Sequence, residues 1–292
     1  MISTKQSVLI GLIGCDIQGS LAPETHMREG EQNGVRHVYR LIDLTVLGLD
    51  NQALPDLLTA AERSGFDGLA ITHPCKQAVI PYLTDLSKDA RQLNAVNTIV
   101  FRDGRRYGHN TDWFGFAESF KRDMGDVERD RVVQLGAGGA GGAVAHAALT
   151  AGVKKLALFD LDQARALAVA ANLGAIHGMD RIEVGTDLAQ TVANADGIIN
   201  ATPIGMDAHP GSPLPTNLLR QDIWVADIIY FPDETELLRK ARSLGVRTMN
   251  GGGMVVFQAA EQFRLFTGIT PDISRMLDYF KTIRQSRNTS RN

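Results

Sequence analysis

Gly136-Ala137-Gly138-Gly139-Ala140-Gly141 follows the apolar run VVQL and has the spacing G-x-G-x-x-G. Such a turn can wrap a pyrophosphate. The first glycine permits a tight turn off a strand, and the second lets backbone N–H groups approach the phosphates. The third lets the next helix pack close to the sheet. The segment KKLALFD then reads as a second strand closing on Asp160, 24 residues after Gly136. A carboxylate there hydrogen-bonds the ribose hydroxyls of a dinucleotide and repels a 2′-phosphate, which argues for NAD over NADP. Asp162 offers a second contact. Glycines also serve ordinary turns and a flavin nucleotide can use the same loop, so the reading rests on the whole context of strand, turn, helix and acid.

A second set of candidates lies upstream. Thr72-His73-Pro74-Cys75-Lys76 ends one strand, Asn94-Ala95-Val96-Asn97-Thr98 precedes another, and Gly108-His109-Asn110-Thr111-Asp112 follows a third. Ligands of open α/β sheets bind at strand ends, so these loops suit a substrate. Lys76 follows a proline that stiffens its loop, and an amine near a carboxylate such as Asp112 can carry a proton. Asp112 can equally be the N-cap of a helix beginning at Trp113, and the two roles are compatible.

The elements that must position these residues form two α/β domains. SVLIGLIG (7–14) and HVYRLIDL (37–44) read as strands, and ALPDLLTAAERSG reads as a helix before the strand DGLAIT (67–72). A helix over 78–83, the segment 89–93 and a hairpin around Asp103-Gly104 follow. Beyond the glycine turn come helices over 161–172 and 188–193 and strands at 182–185, 197–202 and 224–230, an alternation that implies a parallel sheet wound on both sides. Helices over 253–266 and 272–283 return to the first domain, and the polar tail 285–292 is expected to fray. The boundaries are 1–115 with 253–292 for the substrate domain, and 116–252 for the Rossmann-type dinucleotide domain. Of 292 residues, 44% are hydrophobic and 22% charged, with net charge −3, which points to no nucleic-acid or membrane partner. No apolar run is long enough to span a bilayer and no leader is evident, so a cytoplasmic location is expected.

The chain resembles the shikimate/quinate dehydrogenase family along essentially its full length. ITHPCK (71–76), NAVNT (94–98), GHNTDWFGF (108–116), GAGGAG (136–141), NATPIGM (200–206), ADIIYFPDETELL (226–238) and GGGMVVFQAAEQF (251–263) are similar to family blocks and occur in the family's order. The resemblance implies substrate and nicotinamide domains flanking a cleft, and oxidation of a ring hydroxyl to a ketone by hydride transfer. It makes Lys76 the proton-exchanging group and Asp112 its orienter and a contact to a substrate hydroxyl. Ser20, Thr72, Asn97, Tyr230 and Gln258 would hold the carboxylate and hydroxyls of a small cyclic hydroxy acid. Thr202, Pro203, Met206, Ile228 and Gly251 would line the nicotinamide.

The chain departs from the pattern at several places. The family grips the substrate carboxylate with two hydroxyl residues two apart, whereas Ser20 here is followed by Ala22, and Ala70 stands where the family often has Asn. Shikimate, quinate and amino analogues such as aminoshikimate therefore stay open as substrates. So do a related cyclic hydroxy acid and a catalytically weak regulator that senses NAD or a ligand. Asp160-Leu161-Asp162 replaces the Arg and Thr or Ser that the family's NADP users place after this strand, and NAD use is the habit of its catabolic quinate branch, as against aromatic biosynthesis. Cys15 and Cys75 form neither a disulfide framework nor a zinc site. Cys75 reads as a buried small residue or as an oxidisable thiol beside Lys76. His26, His73 and His109 fall near the proposed site without metal-ligand spacing, so no metal is expected. Monomer and homodimer both fit.

Overall fold

The computed structural model describes residues 7–289. The chain divides into two compact units, Met1–Thr111 with Gln258–Phe280, and Asp112–Phe257 with Lys281–Asn292.

In the first unit the order is β1 (Ser7–Gly14), α1 (Ala22–Gln32), β2 (Arg36–Asp43), α2 (Leu44–Leu47), α3 (Leu54–Arg63), β3 (Gly68–Ile71), α4 (Cys75–Ala78), β4 (Asp85–Leu86), α5 (Lys88–Leu93), β5 (Thr98–Arg102) and β6 (Arg105–His109). They form a six-stranded sheet ordered β2-β1-β3-β5-β6-β4. β1 pairs parallel with β2 and β3, whereas β5 runs antiparallel to β3 and β6. Asp103 and Gly104 turn the β5–β6 hairpin with φ of 52° and 67°, the mirror-image turn that matches strand twist. Leu44, Leu54, Leu58, Leu69 and Ile99 pack in one core cluster, and Val8, Ile10, Tyr39 and Phe266 in another.

The second unit continues with α6 (Asp112–Met124), β7 (Arg131–Leu135), α7 (Gly141–Thr150), β8 (Lys155–Phe159), α8 (Gln163–His177), β9 (Ile182–Val184), α9 (Leu188–Ala193), β10 (Gly197–Asn200), β11 (Trp224–Asp227), α10 (Glu236–Ser243) and β12 (Thr248–Met249). Its all-parallel sheet is ordered β12-β11-β10-β7-β8-β9, the doubly wound arrangement in which the order reverses between β7 and β10. The closing helices are α11 (Gly252–Thr267) and α12 (Ile273–Thr289).

Several elements differ from the sequence reading. The helix expected over 78–83 starts earlier, at Cys75, and ends at Ala78; a short 3₁₀ turn, Ile80–Tyr82, follows. Pro81 has no N–H to continue an α-helix, which is why it stops. Helix α1 was not anticipated because the residues it buries are Thr25, His26, Glu29 and Gly30, so its inner face carries no apolar period. The strand expected over 224–230 ends at Asp227. The tail expected to fray from residue 285 is helical through Thr289, since no glycine or proline interrupts 273–289. Residues 290–292 lie outside the described residues.

Candidate active site

In the second unit every nucleotide-side candidate follows the carboxyl end of a parallel strand: Gly136–Gly141 after β7, Asp160 after β8, Thr202–Met206 after β10, Ile228 after β11 and Gly251 after β12. Gly136 leaves β7 with φ of +98°, and a Cβ there would lie 2.6 Å from the Ala201 carbonyl oxygen. Its N–H donates to Phe159 O at 2.7 Å. A Cβ on Gly141 would run into the Gly136 carbonyl. At Gly138 and Gly139 a Cβ would meet nothing within 4 Å, so the turn presents bare backbone there. Ala137 is buried, and Ala140 immediately precedes α7. A residue the sequence reading passed over underpins the turn. Gln134, fully buried in β7, donates from Nε2 to Gly136 O at 2.9 Å and to Gly141 O at 2.8 Å, clamping both ends of the glycine loop.

Asp160 is held to the same turn. One carboxylate oxygen accepts from Ala137 N at 2.7 Å and the other from Asp162 N at 2.8 Å, with Arg165 at 3.8 Å. Asp162 caps α8 by accepting from Arg165 N at 3.1 Å. Beside β7, Asn200 Oδ1 accepts from the N–H of Thr202 at 3.0 Å and its hydroxyl at 2.7 Å. Asn200 Nδ2 donates to Asp227 Oδ1 at 3.0 Å, and Asp227 also accepts from Ile229 N and Thr235 Oγ1. Burial pushes the Asp227 carboxyl up to about 6, against the pull of these hydrogen bonds. The Asn200–Asp227–Thr235 network thus shapes the loops carrying Thr202, Pro203 and Ile228. It escaped the sequence reading because its members lie in three separate segments. Met206 N donates to Pro203 O at 3.1 Å, and Met206 and Tyr230 are exposed. Gly251 N donates to Ile229 O at 3.0 Å, and a side chain at Gly251 would strike the Ile228 carbonyl.

The first unit gathers its candidates at one sheet edge. Because β5 is antiparallel to β3 and β6, Asn97 at its start lies at the same edge as Ser20 beyond β1, Thr72 and Lys76 beyond β3, and Thr111 beyond β6. Backbone bonds stitch the loops together: Cys15 N to His73 O at 2.9 Å, Thr72 N to Ile13 O at 2.9 Å, and Val96 N to Lys76 O at 2.8 Å. Ser20 N donates to Ile17 O at 2.9 Å, and its hydroxyl oxygen accepts from Ala22 N at 3.2 Å. Buried Asn97 donates to Thr111 Oγ1 at 2.9 Å and accepts from Thr111 N at 2.8 Å, so its carboxamide also fixes the loop leading into Asp112. Asp112 is the buried first residue of α6. Lys76 lies half-buried on α4, and Gln258 half-buried on α11.

His26 is not a site residue. It is fully buried on the inner face of α1, with ring centroids 5.4 Å from His37 and 5.2 Å from Tyr39. Cys75 is buried, and desolvation, reinforced by Cys15, pushes its thiol up to about 11, which fits a packing residue and not an activated thiol. Among the described residues no cluster of three His, Cys, Asp or Glu could hold a metal, and no helix is long and apolar enough to cross a membrane.

Residues 12–99 match the shikimate dehydrogenase substrate-binding domain family, and residues 251–278 match the shikimate 5′-dehydrogenase C-terminal domain family. A shikimate dehydrogenase (NADP(+)) of Streptomyces avermitilis is 54% identical over 94% of this chain and 95% of its own. A quinate/shikimate dehydrogenase (NAD(+)) of Corynebacterium efficiens is 47% identical over 95% and 99%. The solved quinate dehydrogenase from Corynebacterium glutamicum in complex with NAD superposes with a TM-score of 0.90 at 45% identity, covering 94% of this chain and 99% of that one. With a two-unit α/β fold, a doubly wound sheet carrying the glycine turn and these full-length relatives, the chain belongs to the shikimate/quinate dehydrogenase family of NAD(P)-dependent oxidoreductases.

Proposed function

We propose that the protein is an NAD-preferring dehydrogenase that interconverts shikimate or quinate with the corresponding 3-dehydro ketone. The observation that carries the cofactor choice is Asp160, whose carboxylate is tied to the glycine turn by the Ala137 N–H at 2.7 Å. An anion in that place disfavours a 2′-phosphate and favours ribose hydroxyls. The relatives named for NAD(+) and the NAD-bound quinate dehydrogenase support the same choice, while the NADP(+)-named relative makes it an experimental question.

The bare backbone at Gly138 and Gly139, leading into the N-terminus of α7, suits a pyrophosphate. Residues 116–252 would hold the dinucleotide, with Thr202, Pro203, Met206, Ile228 and Gly251 about the nicotinamide. A nicotinamide held there would supply the hydride acceptor for the substrate's carbinol carbon. Residues 1–115 and 253–292 would hold the substrate. Lys76 would take the hydroxyl proton, with Asp112 as its orienter and as a contact to a substrate hydroxyl. Ser20, Thr72, Asn97, Tyr230 and Gln258 would complete the grip on the carboxylate and ring hydroxyls.

Initial rates of reduced-nicotinamide formation with shikimate, quinate and aminoshikimate, each with NAD and with NADP, test this reading. A higher kcat/KM with NAD is expected. Lys76→Ala should lower kcat on the order of 10²–10⁴-fold while KM changes little. A large KM rise at unchanged kcat would reassign Lys76 to binding, and NAD binding without turnover on any substrate would favour a sensor.

A further inference from the structure

The loop between β1 and α1 carries Ser20 and has no helix or strand of its own, so its shape depends on what ties it down. Asp16 adopts a left-handed φ of 55°, a conformation that Asp and Asn tolerate best among non-glycine residues. The loop is held by Asp43, the last residue of β2, which sits in register opposite Gly14 and is 3% exposed. One oxygen of its carboxylate accepts from Asp16 N and from Thr45 N, each at 3.1 Å. The other accepts from Ile17 N and from Gln18 Nε2, each at 3.0 Å. Burial works to raise this carboxyl, but the hydrogen bonds from Gln18 and from the backbone outweigh it and hold its pKa below the ordinary value.

The chain of bonds then reaches the proposed substrate residues. Ile17, fixed by Asp43 through its N–H, accepts from Ser20 N through its carbonyl at 2.9 Å. Cys15 N donates to His73 O, tying the same loop to the one that bears Thr72 and Lys76. Only a carboxylate suits this place. The backbone of Val46 also hydrogen-bonds this carboxylate, so every group facing it is a donor, and an asparagine would have to turn its own N–H₂ against at least two of them.

We propose that Asp43 is a positioning residue for substrate binding, touching no substrate itself but setting Ser20 relative to Thr72 and Lys76 through the 15–20 loop. This rests on the reading of Ser20 as a substrate ligand. The test measures kcat and the KM of both substrate and NAD in Asp43→Asn, Gln18→Ala and Ser20→Ala, with thermal melts to establish folding. Asp43→Asn should raise substrate KM about tenfold, with kcat and NAD KM within about twofold of the parent. Gln18→Ala removes one donor and should give a smaller rise in the same sense, which decides the matter if Asp43→Asn does not fold. An unchanged substrate KM in a folded variant of Asp43, or in Gln18→Ala where that variant decides, overturns the proposal. So does a uniform loss across kcat and both KM values, which would mark a purely structural role. Failure of the Ser20 reading shows separately, as an unchanged substrate KM in Ser20→Ala.

Discussion

Replacing Asp160 with Asn changes one atom and removes one charge, and its effects follow from the two hydrogen bonds the side chain makes. The carboxylate is 10% exposed, so solvent screens it little. Its oxygens face the Ala137 N–H at 2.7 Å and the Asp162 N–H at 2.8 Å. Whichever way the asparagine amide turns, its N–H₂ meets one of these donors, so one hydrogen bond to a charged acceptor is lost, worth about 1.5–3 kcal/mol. Part of that loss loosens the glycine turn, and part removes the anion that would accept from ribose hydroxyls. At about 1.4 kcal/mol per tenfold, the share that reaches the dinucleotide should raise NAD KM severalfold, with roughly a hundredfold as the ceiling. Loss of the negative charge also removes repulsion toward a 2′-phosphate, so kcat/KM with NADP should fall less than with NAD, or rise. The assay is steady-state reduction of both dinucleotides at saturating substrate, with dissociation constants from calorimetry. If NAD KM and the ratio of NAD to NADP efficiency both stay at the parental values, the assignment of Asp160 to the adenosine ribose is wrong.

Two further outcomes separate structural from ligand-dependent roles. Gly141→Ala would drive a Cβ into the Gly136 carbonyl, an overpacking that should cost about 1–3 kcal/mol and lower Tm, whereas Gly138→Ala enters open space and should leave Tm alone while weakening NAD binding; equal melting of the two variants would show that the turn yields more easily than its geometry implies. Burial lowers the His37 imidazole from 6.5 to about 4, with Asp67 pulling the other way, so the unfolded chain takes up protons first as pH falls. The stability this provides is complete above about pH 6.5 and is lost on descending toward pH 4, by about 3 kcal/mol for His37 alone. His37→Phe should flatten that part of the pH dependence of urea midpoints, and an unaltered slope would mean that His37 does not stay neutral in the folded protein.

What could be read directly from residue order was whatever depends on local backbone demands. The turn at Gly136–Gly141 needs glycine at its own positions, the hairpin needs left-handed residues at Asp103 and Gly104, and the apolar runs of β1, β7 and β10 mark strands buried on both faces. The loop-end motifs around Lys76, Asn97 and Asp112 were visible as residue types without visible partners. Tertiary structure decided the rest, because the deciding contacts join segments far apart in the chain. Helix α1 hides its inner face as Thr25, His26, Glu29 and Gly30, which pays no tribute to an apolar period until β2 and α11 supply the surface they pack on. His26, close in sequence to Ser20, turns inward to His37 and Tyr39. Asn97 reads as a substrate ligand from its place in the motif, and only the fold shows that its carboxamide also holds Thr111. Gln134, Asn200, Asp227 and Asp43 stand at or near strand ends as ordinary polar residues. Their roles exist only once parallel pairing sets Gly14 beside Asp43 and Asn200 beside Asp227, because a buried polar group must find its partner wherever the fold brings one.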